Sequence, residues 1–162
     1  MEVKAGRYTA NYPADFIVVF IGFRINRLWR INEWLPVMRA AKAMTRKALK
    51  LPGRPLLNSY RVWSADDPRT IFMIQHWRSF EALLEWANAK DLDHRPAQKD
   101  FFKRTGYNGH VGIWHEVYKV QPGQFEAIYG NMPRMSLAAA GEYRTLREAS
   151  RADDRMGDAN AS

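Results

Sequence analysis

Hydrophobic positions along the chain follow two different spacings. The segment Phe16–Phe23 is apolar at nearly every position, which is typical of a strand buried on both faces. Between Trp34 and Leu49, apolar residues recur every three or four positions with basic residues between them, so this segment is predicted to form an amphipathic helix. Pro52 and Gly53 are strong breakers and are predicted to end the helix.

The rest of the pattern predicts three more strands and further helical segments. A polar stretch with a proline separates the first two of these strands, which is typical of a hairpin turn. In chain order the predicted elements are a strand (Leu56–Ser64), a strand (Thr70–Trp77), a helix capped by Ser79, a short helix (Asp93–Arg104), a strand (Val111–Val120) and one or two helical turns (Gln124–Tyr129).

Strands and helices in this order form the split βαβ, or ferredoxin-like, arrangement. The fold class is therefore predicted to be α+β, with one antiparallel sheet and the helices packed on one of its faces. The chain of 162 residues suits a single domain, which is placed at residues 1–149. Residues 150–162 are small, polar and charged, and are predicted to form a flexible tail.

The predicted sheet is apolar on its second face as well. Phe20, Tyr60, Phe72 and Trp114 cannot all lie on the side that the helices cover. A sheet that is apolar on both faces has to cover the second one. We expect either a second copy of the chain or a bound ligand there.

Composition excludes several classes of protein. The sequence has no cysteine, which excludes disulfides, zinc–thiolate sites, thiolate-ligated haem and cysteine nucleophiles. No targeting signal is evident, and the apolar run Phe16–Phe23 is far shorter than a membrane-spanning helix. A cytoplasmic protein without a membrane partner is therefore expected.

The basic excess raises the question of nucleic-acid binding, since 25 Lys and Arg against 17 Asp and Glu give a net charge of +8. RNA-recognition motifs share the predicted strand order, but Thr70–His76 lacks the glycine and aromatic signature of their third strand. The basic residues also concentrate on the outer side of the first helix, where a solvated face explains them. No nucleic-acid partner is expected.

Histidines are the candidate cofactor ligands because cysteine is absent. His115 lies between Ile113 and Val117 on one face of the last predicted strand. It is therefore either an axial ligand for haem iron or a core histidine bonded to a backbone carbonyl. His76 is predicted to contact solvent at a strand end, and His94 to make a surface salt contact. No three histidines have a metal-ligand spacing.

Several segments resemble a family of monooxygenase-like proteins in the dimeric α+β barrel superfamily. The similarity extends over about Phe16–Gly141 and rests on Gly22–Arg27, Gln75–Phe80 and Val111–Tyr118. It implies that two ferredoxin-like sheets pair face to face in a homodimer. Such pairing would cover the second apolar face of the sheet.

The C-terminal part is similar to the haem-dependent aldoxime dehydratases. It carries the triplet His115–Val117, followed by the segment Phe125–Pro133. The similarity implies haem b with His115 as its axial iron ligand. Asn131 and Arg134 are the implied catalytic residues, which would hydrogen-bond a ligand on the distal side. The proton-transferring histidine of those enzymes has no counterpart here, so aldoxime dehydration is expected to be slow.

The remaining predicted site residues are the neighbours of His115 in the sequence. Glu116 is predicted to support the ligand or to pair with Arg24 or Arg78, and Trp114 to wall a cavity between the sheet and the helices. A haem-binding enzyme acting on a small-molecule substrate is the preferred function. The first alternative is a cofactor-free monooxygenase that oxidises an aromatic substrate through its carbanion. The second is a non-enzymatic haem or small-ligand carrier.

Overall fold

The computed structural model describes residues 2–89, 99, 101–103, 105–106 and 108–147. In chain order its elements are β1 (Arg7–Asn11), β2 (Phe16–Ile25), α1 (Ile31–Ala48), β3 (Leu56–Trp63), β4 (Thr70–Trp77), α2 (Phe80–Asn88), β5 (Val111–Val120), β6 (Ile128–Gly130), a four-residue helix (Leu137–Ala140) and β7 (Glu142–Thr145). The predicted helix Asp93–Arg104 falls mostly outside the described residues, although residues 101–103 are helical. His94 and the predicted tail 150–162 also lie outside them.

Four strands form the main antiparallel sheet, in the order β3–β4–β2–β5. Because α1 connects β2 to β3 and α2 lies between β4 and β5, this is the ferredoxin-like α+β arrangement, and the predicted fold class is confirmed. Ser79 caps α2 as predicted. Its Oγ accepts a hydrogen bond of 3.1 Å from the backbone N–H of Ala82.

The helices cover one face of the main sheet, and the larger part of the core lies beneath them. Ile17 and Val19 of the central strand β2 pack there with Trp77 and Ala48, and Phe23 packs against α1 further along. These β2 residues are separated by even numbers of positions, so they point to the same side of the sheet. Because β2 is apolar at nearly every position, the alternate residues on one of its faces all supply apolar side chains to the core beneath the helices.

A second antiparallel sheet has the strand order β6–β1–β7 and is called the small sheet below. Together with the helix Leu137–Ala140 it packs against the other face of the main sheet at one end, where Phe16 is buried. The helical turns predicted at Gln124–Tyr129 are wrong. Residues 128–130 instead pair with β1, with Tyr129 opposite Tyr8, because strand pairing gives this short segment backbone hydrogen bonds that one isolated helical turn lacks.

The part of this second face that the small sheet leaves uncovered is called the open face. Phe20, Tyr60, Phe72 and Trp114 all lie on this side, as predicted, because their register alternates with that of the helix-facing residues. The indole of Trp114 lies over Gly22, where an added Cβ atom would overlap it. Glycine is therefore needed at this point so that the aromatic side chains can close over the sheet.

Candidate functional site

A cavity of about 420 Å³ lies where the small sheet packs against the main sheet. Its apolar walls are Phe16, Val18, Val120, Phe125, Ala127 and Leu137. Polar residues line it from both sheets, among them His76 of β4 and Tyr129 of β6, and Glu126 and Ser136 lie at its wall as well. A volume of this size suits a small organic molecule, for which sites measure about 300–1,000 Å³. The cavity lies on the opposite face from the predicted one, because the small sheet forms its second wall.

His76 is the buried titratable group of this cavity. It is 4% exposed, and its Nδ1 atom has no hydrogen-bond partner among the described residues. Burial lowers the pKa of His76 from 6.5 to about 4, so the imidazole is neutral at physiological pH. The prediction that His76 contacts solvent is wrong, because the small sheet covers its end of β4.

Tyr129 brings a hydroxyl group to the same cavity. Its oxygen accepts a hydrogen bond of 3.2 Å from the backbone N–H of Ala138, and a hydroxyl that accepts one bond still has its own proton to donate. Burial raises the pKa of Tyr129, which keeps the phenol protonated at neutral pH. The cavity therefore contains a neutral proton acceptor and a neutral proton donor, carried by different sheets.

One side-chain bond fixes the wall of the cavity between the two sheets. Asn58 Nδ2, on β3, donates to the carbonyl oxygen of Ser136 at 2.7 Å. Ser136 has a φ angle of 51° and a ψ angle of −132°, a combination that residues other than glycine rarely adopt. Such a conformation persists where surrounding contacts hold it, so Asn58 is a positioning residue for this wall.

His115 lies on the opposite side of the main sheet from the cavity. It is on the helix-facing side of β5, directly opposite Ile21, and it is exposed. Ile113 and Val117 on either side of it are 47% and 39% exposed. Because β5 is an edge strand, the described helical residues do not cover its middle. The alternative that His115 is a buried core histidine is therefore wrong.

Trp114 and Glu116 lie on the other face of β5 from His115, as the strand period predicts. The prediction that Trp114 walls a cavity between the sheet and the helices is therefore wrong, because its indole lies over Gly22 on the open face. Glu116 accepts a hydrogen bond of 2.7 Å from the hydroxyl of Tyr118. The expected pairing of Glu116 with Arg24 or Arg78 is wrong. Arg24 pairs with Asp67 at 2.6 Å, and Arg78 donates to the carbonyl oxygen of Gly53 at 2.6 Å.

Asn131 and Arg134 hold backbone around the small sheet. The Oδ1 atom of Asn131 accepts a hydrogen bond of 3.0 Å from the N–H of Gly6. Arg134 donates to the carbonyl oxygens of Ala138 and Gly141, at 2.5 and 2.9 Å. Since the small sheet packs on the face opposite to the helices, the chain does not bring these two residues to the side of the sheet where His115 lies.

Metal-ligating side chains do not converge in the described ranges, where no group of three or more His, Asp or Glu could hold an ion. His110 is paired with Glu33, at 2.9 Å between Nδ1 and Oε2. A metal held by three or more of these side chains therefore has no site in this part of the chain.

The family of the chain follows from its sequence over the main sheet and both helices. A family described as monooxygenase af470-like matches residues 16–137. The chain belongs to this family. The match includes His76, His115 and most of the cavity, and it confirms the predicted resemblance to monooxygenase-like proteins. A search of curated proteins finds no match to the sequence.

Solved structures are similar to the chain at low sequence identity. An aldoxime dehydratase in complex with butyraldoxime is similar over 87% of this chain and 38% of its own, with a TM-score of 0.61 and 13% identity. A Bacteroides thetaiotaomicron protein of unknown function covers 67% of this chain and 100% of its own, with a TM-score of 0.49 and 14% identity. The cofactor-independent oxygenase SnoaB from Streptomyces nogalater covers 67% and 95%, with a TM-score of 0.47 and 10% identity. The first of these likenesses supports the fold.

Proposed function

We propose that the protein is a monooxygenase that oxidises a small aromatic molecule in the cavity lined by His76 and Tyr129, without a bound cofactor. The observation that carries this proposal is the neutral, buried imidazole of His76, whose Nδ1 atom has no partner among the described residues. Membership of the monooxygenase family supports the reaction class. The aromatic and aliphatic walls support an apolar substrate.

A buried nitrogen without a hydrogen-bond partner destabilises the folded protein by about 1–3 kcal/mol. Nearly all buried polar groups in proteins are bonded, so each exception calls for a reason. A substrate that brings a proton to His76 supplies one, because the nitrogen is bonded whenever the cavity is occupied. Perturbed ionisation at a cavity wall is typical of groups that act on a substrate.

The reaction begins with transfer of a proton from an activated methylene group of the substrate to His76. The carbanion then passes electrons to dioxygen, and a carbon–oxygen bond forms to give a peroxide. Loss of water leaves a carbonyl group in place of the methylene. The carbon loses two hydrogens and four electrons, dioxygen gains those four electrons, one oxygen atom stays in the product and the other leaves as water.

Tyr129 has a separate task in this scheme. Removing a proton next to an aromatic ketone places negative charge on the ketone oxygen, and the phenol of Tyr129 can donate a hydrogen bond to it. Such a bond strengthens as the charge develops, which lowers the barrier to proton transfer. His76 is therefore assigned as the base and Tyr129 as the donor that stabilises the anion.

Oxygen uptake with anthrone, whose methylene lies between two aromatic rings, tests this function in buffer without haem, flavin or added metal. We expect uptake with formation of anthraquinone, and a loss in kcat of about 100-fold or more in His76→Phe, since general-base catalysis contributes at least about that factor. His115→Ala is the matched control and should keep full activity. Inactive wild-type protein, or an active His76→Phe variant, would contradict the proposal.

Haem binding at His115 is a second candidate, favoured by the exposed side chains of Ile113 and Val117 beside the imidazole. An imidazole on an uncovered apolar surface fits a ligand for haem iron, and haem bound there would supply a redox-active metal. His115 would hold the iron, and its two neighbours would pack against the porphyrin. Asn131 and Arg134 do not fit the distal role within one chain, because they belong to the other side of the main sheet.

Haem titration followed by absorbance tests the second candidate. Stoichiometric binding with a Soret band that His115→Ala removes, and that His76→Phe leaves in place, would support it. A protein that stays colourless, or that binds haem equally well without the imidazole of His115, would contradict it. Neither outcome affects the oxygen-uptake test, because the two histidines lie on opposite faces of the sheet.

A further inference from the structure

The turn that enters α1 presents large apolar side chains to solvent. Leu28, Trp29 and Ile31 are 50%, 72% and 53% exposed, and they are called the tip below. The guanidinium of Arg27 lies 5.5 Å from the centre of the Trp29 ring, so positive charge adjoins the apolar surface directly. Three large apolar residues are thus exposed within four positions of the chain, whereas apolar residues scattered singly over a surface are common.

The helix that follows carries a row of positive charges on its exposed side. Arg39, Lys42 and Arg46 on α1 and Lys50 just after it are all exposed. They are spaced by three or four positions, so they share one side of the helix, and they are called the basic stripe. The one acidic residue of α1, Glu33, is buried and faces His110. The exposed side of α1 therefore carries positive charge alone.

We infer that the tip and the basic stripe together bind the surface of an anionic lipid bilayer. Tryptophan and aliphatic side chains gain free energy in the interfacial region of a membrane, and lysines and arginines beside them are attracted to acidic headgroups. The net charge of +8 adds to this attraction. No helix in the described ranges is long and apolar enough to span a membrane, so the contact is peripheral.

The combination of side chains favours lipid over nucleic acid. Phosphate binding by the basic stripe would explain attraction to RNA as well, but it leaves Leu28 and Ile31 without a role, since aliphatic side chains neither stack on bases nor bond to them. An anionic bilayer accounts for both the apolar tip and the basic stripe. The expectation of no membrane partner is based on the lack of a spanning segment, and a surface contact does not need one. This inference does not depend on the proposed oxidation.

Co-sedimentation of the full chain with phosphatidylcholine vesicles, with and without phosphatidylserine, tests the inference. We expect binding to the anionic vesicles that weakens with added salt. Trp29→Ala should weaken the binding about tenfold or more, and Arg46→Glu/Lys50→Glu about a hundredfold or more. Matched controls are Trp63→Ala, which removes another exposed tryptophan, and a double charge reversal of two small-sheet arginines, Arg7→Glu/Arg144→Glu.

Weaker vesicle binding by Trp29→Ala and by Arg46→Glu/Lys50→Glu, with unchanged binding by both controls, would support the inference. Failure of the wild type to sediment with anionic vesicles would overturn it, as would equal effects of both double charge reversals. Single-stranded RNA is the competitor to include. If RNA displaces the protein from vesicles and binding to RNA persists in Trp29→Ala, the surface binds nucleic acid and the lipid inference is wrong.

Discussion

The ionisation of His76 is determined by what surrounds its ring. Phe16 lies 6.1 Å away between ring centres, and burial is the cause of the lowered pKa. Period-two alternation places His76 on the same face as Phe72 and Ile74, and that much can be predicted from the sequence. The burial of His76 cannot be predicted in this way, because the small sheet covers the imidazole and its strands are distant from His76 in the sequence. His115 shows the reverse: its apolar neighbours suggest burial, yet an edge strand leaves it exposed.

The buried imidazole predicts how stability changes with acidity. Between about pH 4 and 6.5 the unfolded chain binds a proton that folded His76 does not, so the free energy of unfolding falls as the pH falls through this range. We expect the His76 contribution to fall by about 2 kcal/mol from about pH 7.5 to about pH 5. Urea unfolding of the wild type and of His76→Phe at several pH values measures this contribution as the difference between the two proteins. Equal pH dependence in the two proteins would show that His76 is not buried.

The strands of the main sheet were predictable from the sequence, and those of the small sheet were not. β2 is apolar at nearly every position and β3, β4 and β5 are bounded by turn residues, so their patterns are strong. The strands of the small sheet have only three to five residues, and each is held by pairing with segments far along the chain. The local spacing of apolar residues gives no indication of such long-range pairing. The cavity wall that the small sheet forms therefore cannot be predicted from hydrophobic patterning.

The bond between β3 and the small sheet predicts a local effect. Asn58→Ala removes the donor to the Ser136 carbonyl and should lower the free energy of unfolding by about 1 kcal/mol. The amides of Ala139 and Gly141, which bond within the adjacent helical turn, should exchange with solvent faster. Hydrogen exchange followed by NMR measures this. Ser59→Ala is the control, since Ser59 lies on the other face, opposite Gln75; equal effects of both variants would contradict the assignment of Asn58.

In a single chain, the open face of the main sheet leaves large aromatic side chains exposed to solvent. Trp114 and Tyr118 on β5 are 36% and 49% exposed there, beside Phe20 and Phe72. The alternation of the strands was enough to predict this face. A second copy packed on it would bury the aromatic side chains, and the predicted homodimer stays a prediction.

Sedimentation equilibrium tests the homodimer. We expect twice the mass of one chain for the wild type and a shift towards one chain mass in Tyr118→Glu, because a buried carboxylate without a partner opposes packing of the two faces. Leu84→Glu is the control, since Leu84 is 43% exposed on α2, on the other side of the sheet. A wild-type monomer, or equal dissociation of both variants, would contradict the prediction.

NMR of the protein with ¹⁵N-labelled histidine shows whether the cavity around His76 binds the substrate. Replacing each of the four histidines in turn assigns the imidazole signals. We predict that His76 stays neutral until the pH approaches 4, and that anthrone added without oxygen shifts the His76 signal and leaves His110 and His115 unchanged. A His76 signal that titrates near 6.5 would show that this imidazole is not buried, and an anthrone shift confined to His115 would show that the substrate does not bind in the His76 cavity.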